Sequence, residues 1–335
     1  MCTQNGFRLH FNVIFLCAEW GSDVTRVAFF GSAAFSVPTL EALVAAGYDV
    51  VAVYTQPDRP AGRGRQESYG PVKEAALRHG LPVYQPRSLK REAALAEFHA
   101  LAPDVVVLAA YGLLFPQTFL DVPPHGSLNV HPSLLPRWRG PAPIVAALLA
   151  GDTTTGSTIF LMDAGMDTGP ILAQREADIG PDVTAGALTA RLAQHGAELL
   201  RDTLPAWLER KLVPQPQDEA RATYSRMLTK EDGLLDWSRP AEELARRVRA
   251  FNPWPSTYTS WNGQTLKVLE ARAHPDGQGD PGRVVRLHAR ETAVSTARGS
   301  LALLRVQLEG KRALPIQDFV RGQPRFLGSR LGAAV

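Results

Sequence analysis

The sequence predicts an α/β protein. A Rossmann-like, mostly parallel sheet forms the N-terminal domain, and a smaller β-barrel of OB-like form follows as the C-terminal domain. Three observations predict this. Between Thr25 and Met162, strand-like apolar runs alternate with stretches of helical periodicity. Residues 105–110 (Val-Val-Val-Leu-Ala-Ala) form an unbroken apolar run of the kind found in a sheet buried on both faces. Beyond Pro240, one helical stretch is followed by short β-branched runs punctuated by Gly, Asp and Pro.

Taken in order, residues 26–31 read as a buried strand ending at a glycine turn. Residues 37–46 read as a helix that turns Leu40, Leu43 and Val44 inward. Residues 49–55 form a second β-branched strand, 72–79 a helix, 81–84 a short strand and 92–102 a helix. After 105–110 come a strand at 127–130, a helix at 144–150 and an extended run at 157–162. From 184 to 211, Leu188, Leu192, Leu199, Leu200, Leu204, Trp207 and Leu208 mark a long amphipathic helix, with a kink expected at Pro205. The Pro/Gln stretch Val213-Pro214-Gln215-Pro216-Gln217-Asp218-Glu219 punctuates the chain. The expected organisation is an extension over 1–24, disordered or a misassigned start, then a catalytic domain over 25–211. A linker over 212–229 and a basic β domain over 230–335 complete it. In the last part, 240–250 reads as helix and 257–261, 265–270, 282–287, 293–296 and 301–308 as strands.

Composition narrows the chemistry. The 335 residues contain two cysteines, Cys2 and Cys17, both before Gly21. The body of the chain therefore has no thiol nucleophile, iron–sulfur site or cysteine zinc site, and no disulfide framework. That composition fits a reducing compartment, and a cytoplasmic location is expected. No apolar run approaches the roughly 18–20 residues of a membrane-spanning helix. The first strand ends Gly31-Ser32-Ala33-Ala34-Phe35, where a dinucleotide site would want G-x-G-x-x-G. Ala61-Gly62-Arg63-Gly64-Arg65 likewise lacks the G-K-[ST] of a P-loop. Neither a nucleotide cofactor nor a metal is expected.

The chemistry concentrates at the end of one strand. Asn129 and His131 are two residues apart and share a face of it. In an open α/β sheet, ligands bind at the carboxyl ends of the strands. About thirty residues on, the glycines of Gly165-Met166-Asp167-Thr168-Gly169 permit a tight turn that presents a carboxylate. Asn, His and Asp without Ser or Cys can polarise a carbonyl, stabilise an oxyanion and move a proton, while the substrate supplies the nucleophile. His79, His99, His125, His195, His274 and His288 have no such company and read as structural.

Residues 129–140 (Asn-Val-His-Pro-Ser-Leu-Leu-Pro-Arg-Trp-Arg-Gly) followed by Gly165-Met166-Asp167-Thr168-Gly169 strongly resemble the folate-dependent formyltransferases. Residues 55–64, Val72-Lys73 and Arg249-Ala250-Phe251-Asn252-Pro253-Trp254-Pro255 make the chain similar to the members that act on initiator methionyl-tRNA. The likeness runs from about Thr25 to the C-terminus. It departs at 1–24 and at Ala33-Ala34, where a more polar or Pro-containing turn is common. The resemblance implies formyl transfer from 10-formyltetrahydrofolate to the α-amino group of the methionine. It assigns Asn129, His131 and Asp167 as the catalytic trio and Ser133, Leu134, Leu135 and Pro136 as the tetrahydrofolate-binding stretch. It also makes the Pro/Gly loop with Arg59, Arg63 and Arg65 the one that meets the tRNA acceptor end, while Arg137 and Arg139 are expected at folate carboxylates or terminal phosphates. A formyltransferase for a small amine, such as a glycinamide nucleotide or an amino sugar, and a non-catalytic RNA-binding protein are the alternatives.

The net charge of +3 looks neutral until the chain is divided. Residues 1–229 hold 19 Lys/Arg against 22 Asp/Glu, net −3, whereas 230–335 hold 17 against 11, net +6. Arg246, Arg247 and Arg249 fall on one helix, and Lys311-Arg312 form a basic tip. A basic β domain beside an acidic catalytic one suits backbone-led tRNA binding. Since one tRNA needs only one copy, a monomer is expected.

Overall fold

The computed structural model describes residues 24–61, 66–277, 279–287 and 291–332. The expected extension falls almost wholly outside them. The first part runs β1 (Arg26–Gly31), α1 (Val37–Ala45), β2 (Asp49–Tyr54), β3 (Arg59–Ala61), β4 (Gln66–Ser68), α2 (Pro71–Arg78), β5 (Val83–Tyr84) and α3 (Glu92–Ala100). It continues through β6 (Val105–Ala109), α4 (Gln117–Leu120), β7 (Ser127–His131), α5 (Pro143–Ala150), β8 (Thr154–Leu161), β9 (Ile171–Asp178) and α6 (Ala185–Leu208). Seven strands form one sheet in the order β5-β2-β1-β6-β7-β8-β9. The first five in that order are parallel, β8 runs antiparallel to them, and β9 runs antiparallel to β8. The sequence direction reverses between β1 and β6, the switch point expected of a doubly wound sheet.

Each face of this sheet has its own core. Val27, Phe29, Val107, Leu128 and Val130 point to one side, under α1, α2, α5 and α6, where Leu40, Val72, Leu148, Leu188 and Leu192 cover them. The alternate residues Phe30, Tyr54, Val106 and Leu108 point the other way and meet Phe98, Tyr111 and Phe119. Phe30 stacks on Tyr54 with ring centroids 4.3 Å apart and meets Tyr111 edge-on at 5.2 Å. A strand buried on both faces has to be apolar throughout, which is why 105–110 reads so clearly.

The second part comprises α7 (Ala241–Ala250), β10 (Thr257–Trp261), β11 (Gln264–His274), β12 (Val284–Arg286), β13 (Thr292–Ser295), β14 (Ser300–Leu308), β15 (Leu314–Pro315) and α8 (Ile316–Gly322). Its antiparallel strands run β10-β11-β14-β13-β12, with β15 added on β14. The sheet curls into a half-barrel that hydrogen bonds leave open between β10 and β12. Trp261, Phe319 and Phe326 meet edge to face in its core. Leu244 and Val248 of α7 join that core, while Ala250 at the helix end belongs to the core of the first sheet. Helix α7 also packs on α5, with Arg246 Nε donating to Leu149 O at 3.2 Å.

The structure adds elements that periodicity does not reveal. Strand β9 lies at the sheet edge, and its Gln174-Arg175-Glu176 outer run looks like loop because an edge strand needs few apolar residues. The Arg59 loop begins and ends in the hairpin β3–β4. Helix α6 continues through Pro205 to Leu208.

Gly196 of α6 faces β7 so closely that an added Cβ would sit 2.6 Å from Val130 Cγ1. A valine held in a strand cannot swing aside. Gly196→Ala should therefore destabilise the chain by about 1–3 kcal/mol, although alanine is the better helix former. Urea unfolding of wild type and variant measures this.

Candidate active site

Strand β7 is paired on both edges. Asn129 stands opposite Leu108 of β6 and Phe160 of β8, and His131 opposite Thr158. Because Val130 points into the helix-covered core, Asn129 and His131 share the opposite face, at the carboxyl end of the parallel strands. Both are buried, at 9% and 5% exposure. Among the described residues, the Asn129 amide has no hydrogen-bond partner.

The His131 ring is held at one nitrogen and faces a carboxylate with the other. Nε2 lies 3.1 Å from the carbonyl oxygen of Trp138, which can only accept, so Nε2 carries the proton. In the neutral ring Nδ1 then keeps its lone pair, and it faces Asp167 Oδ2 at 3.7 Å. That gap exceeds a direct hydrogen bond but holds a carboxylate beside any imidazolium that forms. Oδ2 of Asp167 accepts from the Gly140 N–H at 2.7 Å. Asp167 has φ +55°, inside a turn closed by Asp163 Oδ1, which accepts from Thr168 Oγ1 at 2.7 Å and Gly165 N at 3.0 Å.

The stretch after His131 is pinned from below. Thr158 Oγ1 donates to Ser133 O at 2.7 Å and accepts from Leu135 N at 3.2 Å, and Gln174 Nε2 donates to Leu135 O at 2.8 Å. Ser133 Oγ donates to Arg137 O at 2.6 Å. Ser133 and Leu135 are thus buried and committed within the protein, while Leu134 and Pro136 stay partly open. Arg137 makes a bidentate pair with Asp152 at 2.6 and 2.9 Å, which also accepts from Trp138 Nε1 at 2.8 Å. Arg139 differs from its expected role. Its guanidinium is completely buried and spent on Gln217 Oε1 and both Glu219 carboxylate oxygens, so it cannot reach a folate carboxylate or a phosphate. The same guanidinium holds the Glu219 carboxyl below the usual carboxylate range.

Known proteins match this arrangement. Residues 25–204 match the sequence profile described as formyl transferase, and residues 227–324 that of its C-terminal domain. Over 312 residues the chain is 51% identical to methionyl-tRNA formyltransferase of Roseiflexus sp. strain RS-1, covering 92% of this chain and 96% of that one. It is 47% identical to the enzyme of the same description from Dehalococcoides mccartyi, covering 92% and 98%. The chain belongs to the methionyl-tRNA formyltransferase family. In fold it is similar to the N-formyltransferase of Helicobacter canadensis, solved with folinic acid and dTDP-3-aminofucose. The TM-score there is 0.64 at 17% identity, over 84% of this chain and 99% of that one. HypX of Aquifex aeolicus, solved with tetrahydrofolic acid, matches with a TM-score of 0.59 at 17% identity, over 88% and 46%.

For a methionyl-tRNA formyltransferase the basic residues matter, and they are spread out. Arg59 lies on β3 at the start of the hairpin, whereas Arg63 and Arg65 fall outside the described residues. Behind that hairpin, Lys73 binds both the Asp58 carboxylate and Gln85 Oε1 and lies 4.0 Å over the Tyr69 ring. The Lys73 ammonium holds the Asp58 carboxyl below its ordinary range. On α7, Arg246 and Arg249 line a cleft against Asp182 and Arg272, and Arg247 turns back to donate to Asp232 O at 2.7 Å. Burial lowers the pKa of both Arg247 and Arg249. Lys311 and Arg312 stand exposed after β14. Among the described residues no group of His, Cys, Asp and Glu is arranged to hold a metal, and no helix is long and apolar enough to cross a membrane.

Sequence reasoning missed Asp152, Gln217, Glu219 and Thr223. The last three lie in the stretch read as a linker, and nothing local marks a contact that spans 78 residues, as Arg139 to Gln217 does.

Gly169 passes under β8, where an added Cβ would sit 1.8 Å from Leu161 O. Gly169→Ala must open the turn and displace Asp167. Formylation should fall roughly 100-fold while the circular dichroism spectrum is kept. A formyl-transfer assay on the folded variant measures the loss.

Proposed function

We propose that this chain transfers the formyl group of 10-formyltetrahydrofolate to the α-amino group of methionine on initiator tRNA, with Asn129, His131 and Asp167 as the catalytic groups. The observation that carries this is the His131 ring, whose Nε2 lies on the Trp138 carbonyl oxygen and whose Nδ1 faces Asp167 across 3.7 Å. The amine nitrogen attacks the formyl carbon, and the carbonyl electron pair moves onto oxygen. The Asn129 amide donates to that oxyanion, and one such preorganised donor is worth about 2.7–4 kcal/mol. His131 Nδ1 takes the amine proton, the imidazolium stands beside the Asp167 carboxylate, and the proton passes to the folate nitrogen as its bond to the formyl carbon breaks. Atoms and charge balance without a protein nucleophile.

The folate donor sits over the loop 133–136, whose partly open Leu134 and Pro136 offer apolar contact. The tRNA acceptor end reaches Asn129 past the Arg59 hairpin, and the backbone is met by the basic second domain, which holds Lys311 and Arg312 exposed. The enzyme works as a monomer in the cytoplasm. Two observations favour tRNA over a small amine. The relatives at about half identity are tRNA enzymes, whereas the Helicobacter canadensis enzyme, solved with an amino-sugar nucleotide, shares only 17% identity. The +6 charge of residues 230–335 suits a long RNA backbone better than the one or two phosphates of a nucleotide-linked amine.

Asn129→Ala, His131→Ala and Asp167→Ala should each lower kcat by about 100- to 1000-fold with folding intact. Steady-state formylation of charged initiator tRNA measures this, and a His131→Ala enzyme near the wild-type rate would overturn the assignment. Lys311→Glu combined with Arg312→Glu should raise KM for tRNA and flatten its salt dependence, leaving KM for the folate donor unchanged. Titrating each substrate at several salt concentrations separates the two.

A further inference from the structure

The stretch between the two domains crosses the catalytic loops instead of hanging clear of them. Gln215 exchanges both backbone hydrogen bonds with Ile171 at 2.8 Å. Thr223 O accepts from Arg139 N at 2.9 Å, Thr223 Oγ1 accepts from Trp138 N at 2.9 Å, and Ser225 N donates to Arg139 O at 2.7 Å. Gln217 sits between these anchors. Its Oε1 accepts from Arg139 Nε at 3.1 Å and Nη2 at 2.9 Å, and its Nε2 donates to Asp167 O at 2.8 Å and Gly169 O at 2.7 Å. Both amide protons and both lone pairs are used, so the side chain has no second orientation that satisfies it.

The residue it grips needs gripping. Asp167 has φ +55°, in the left-handed region that a non-glycine residue keeps only where its surroundings over-determine it. Two long-range bonds hold it there. Gly140 N–H fixes the carboxylate, and Gln217 fixes the backbone. Arg139 does not depend on Gln217 in the same way, because it keeps both oxygens of Glu219 and the hydroxyl of Tyr224.

We infer that Gln217 is a positioning residue for Asp167, holding the carboxylate in register with His131 through the Asp167 and Gly169 carbonyls. The inference rests on Asp167 acting in catalysis as proposed above. It makes the interdomain stretch part of the active site, although none of its side chains needs to touch the substrate.

Gln217→Glu separates the two ends of the amide. A carboxylate still accepts from Arg139, but it cannot donate and faces two carbonyl oxygens. If Gln217 positions Asp167, kcat falls by about 10- to 100-fold while KM for folate donor and tRNA changes little. Gln217→Met, of similar length and without donors, should lose kcat alike and serves if the glutamate variant misfolds. A Gln217→Glu enzyme within about twofold of the wild-type kcat, or one impaired only in KM, overturns the inference. Asp167→Asn in the same assay tells the two readings apart. If it stays active, the catalytic reading of Asp167 fails and takes the inference with it. If it is impaired, the double variant Asp167→Asn/Gln217→Glu should be no slower than Asp167→Asn alone. A double variant slower by the full product of both effects overturns the positioning role.

Discussion

The pairing of β7 on both of its edges sets the geometry from which the site is built. Parallel bonding to β6 and antiparallel bonding to β8 leave the strand no freedom to slip, because a one-residue shift would send Asn129 and His131 into the helix-covered core and Val130 out of it. A polar amide and an imidazole are thereby fixed on one face, at the carboxyl end of the sheet, and desolvated. The close approach of Gly196 to Val130 shows how tightly α6 seats on the reverse side of the same strand.

What the sheet cannot fix, the loops beyond it must. The carboxylate partner of His131 comes from a turn about thirty-five residues later, held in a backbone conformation it would not keep alone. The buried Arg139 guanidinium joins the loop after β7 to the interdomain stretch, and Gln217 joins that stretch to the Asp167 turn. An ion pair between a buried guanidinium and the mostly exposed Glu219 adds little net stability after desolvation. Its value lies in directionality, because a planar guanidinium with several acceptors fixes where each of them stands.

The two domains divide the work by charge. The catalytic half is mildly acidic and encloses a small polar site within two apolar layers, whereas the second half is basic and open along a curled sheet. Helix α7 belongs to both. Its apolar side enters the core of the second domain, its C-terminal end enters that of the first, and its arginines turn partly inward to the interface. The exposed basic residues of that domain therefore lie away from α7, among them Lys267, Arg272, Arg286 and Arg305 on strands and Lys311 and Arg312 at a turn.

Much of this was legible in the residues alone. Apolar runs such as 105–110 and the leucine periodicity of 184–211 report secondary structure because burial on two faces, or on one helical stripe, leaves a pattern of fixed period. Asn129 and His131 were legible as a pair because alternation along a strand puts them on one face. Edge strand β9 was not, since half its residues answer to solvent, and Arg139 was misread as free to bind anions. By itself the sequence determined the layers, the strand that carries the site and the types of group available for chemistry. Only the tertiary structure decided which nitrogen of His131 meets the Trp138 carbonyl and which faces Asp167, that Arg139 is buried, and that Gln217 bonds the Asp167 turn. These depend on hydrogen bonds between groups up to 85 residues apart, and such bonds follow from where the chain returns in space, not from any local period.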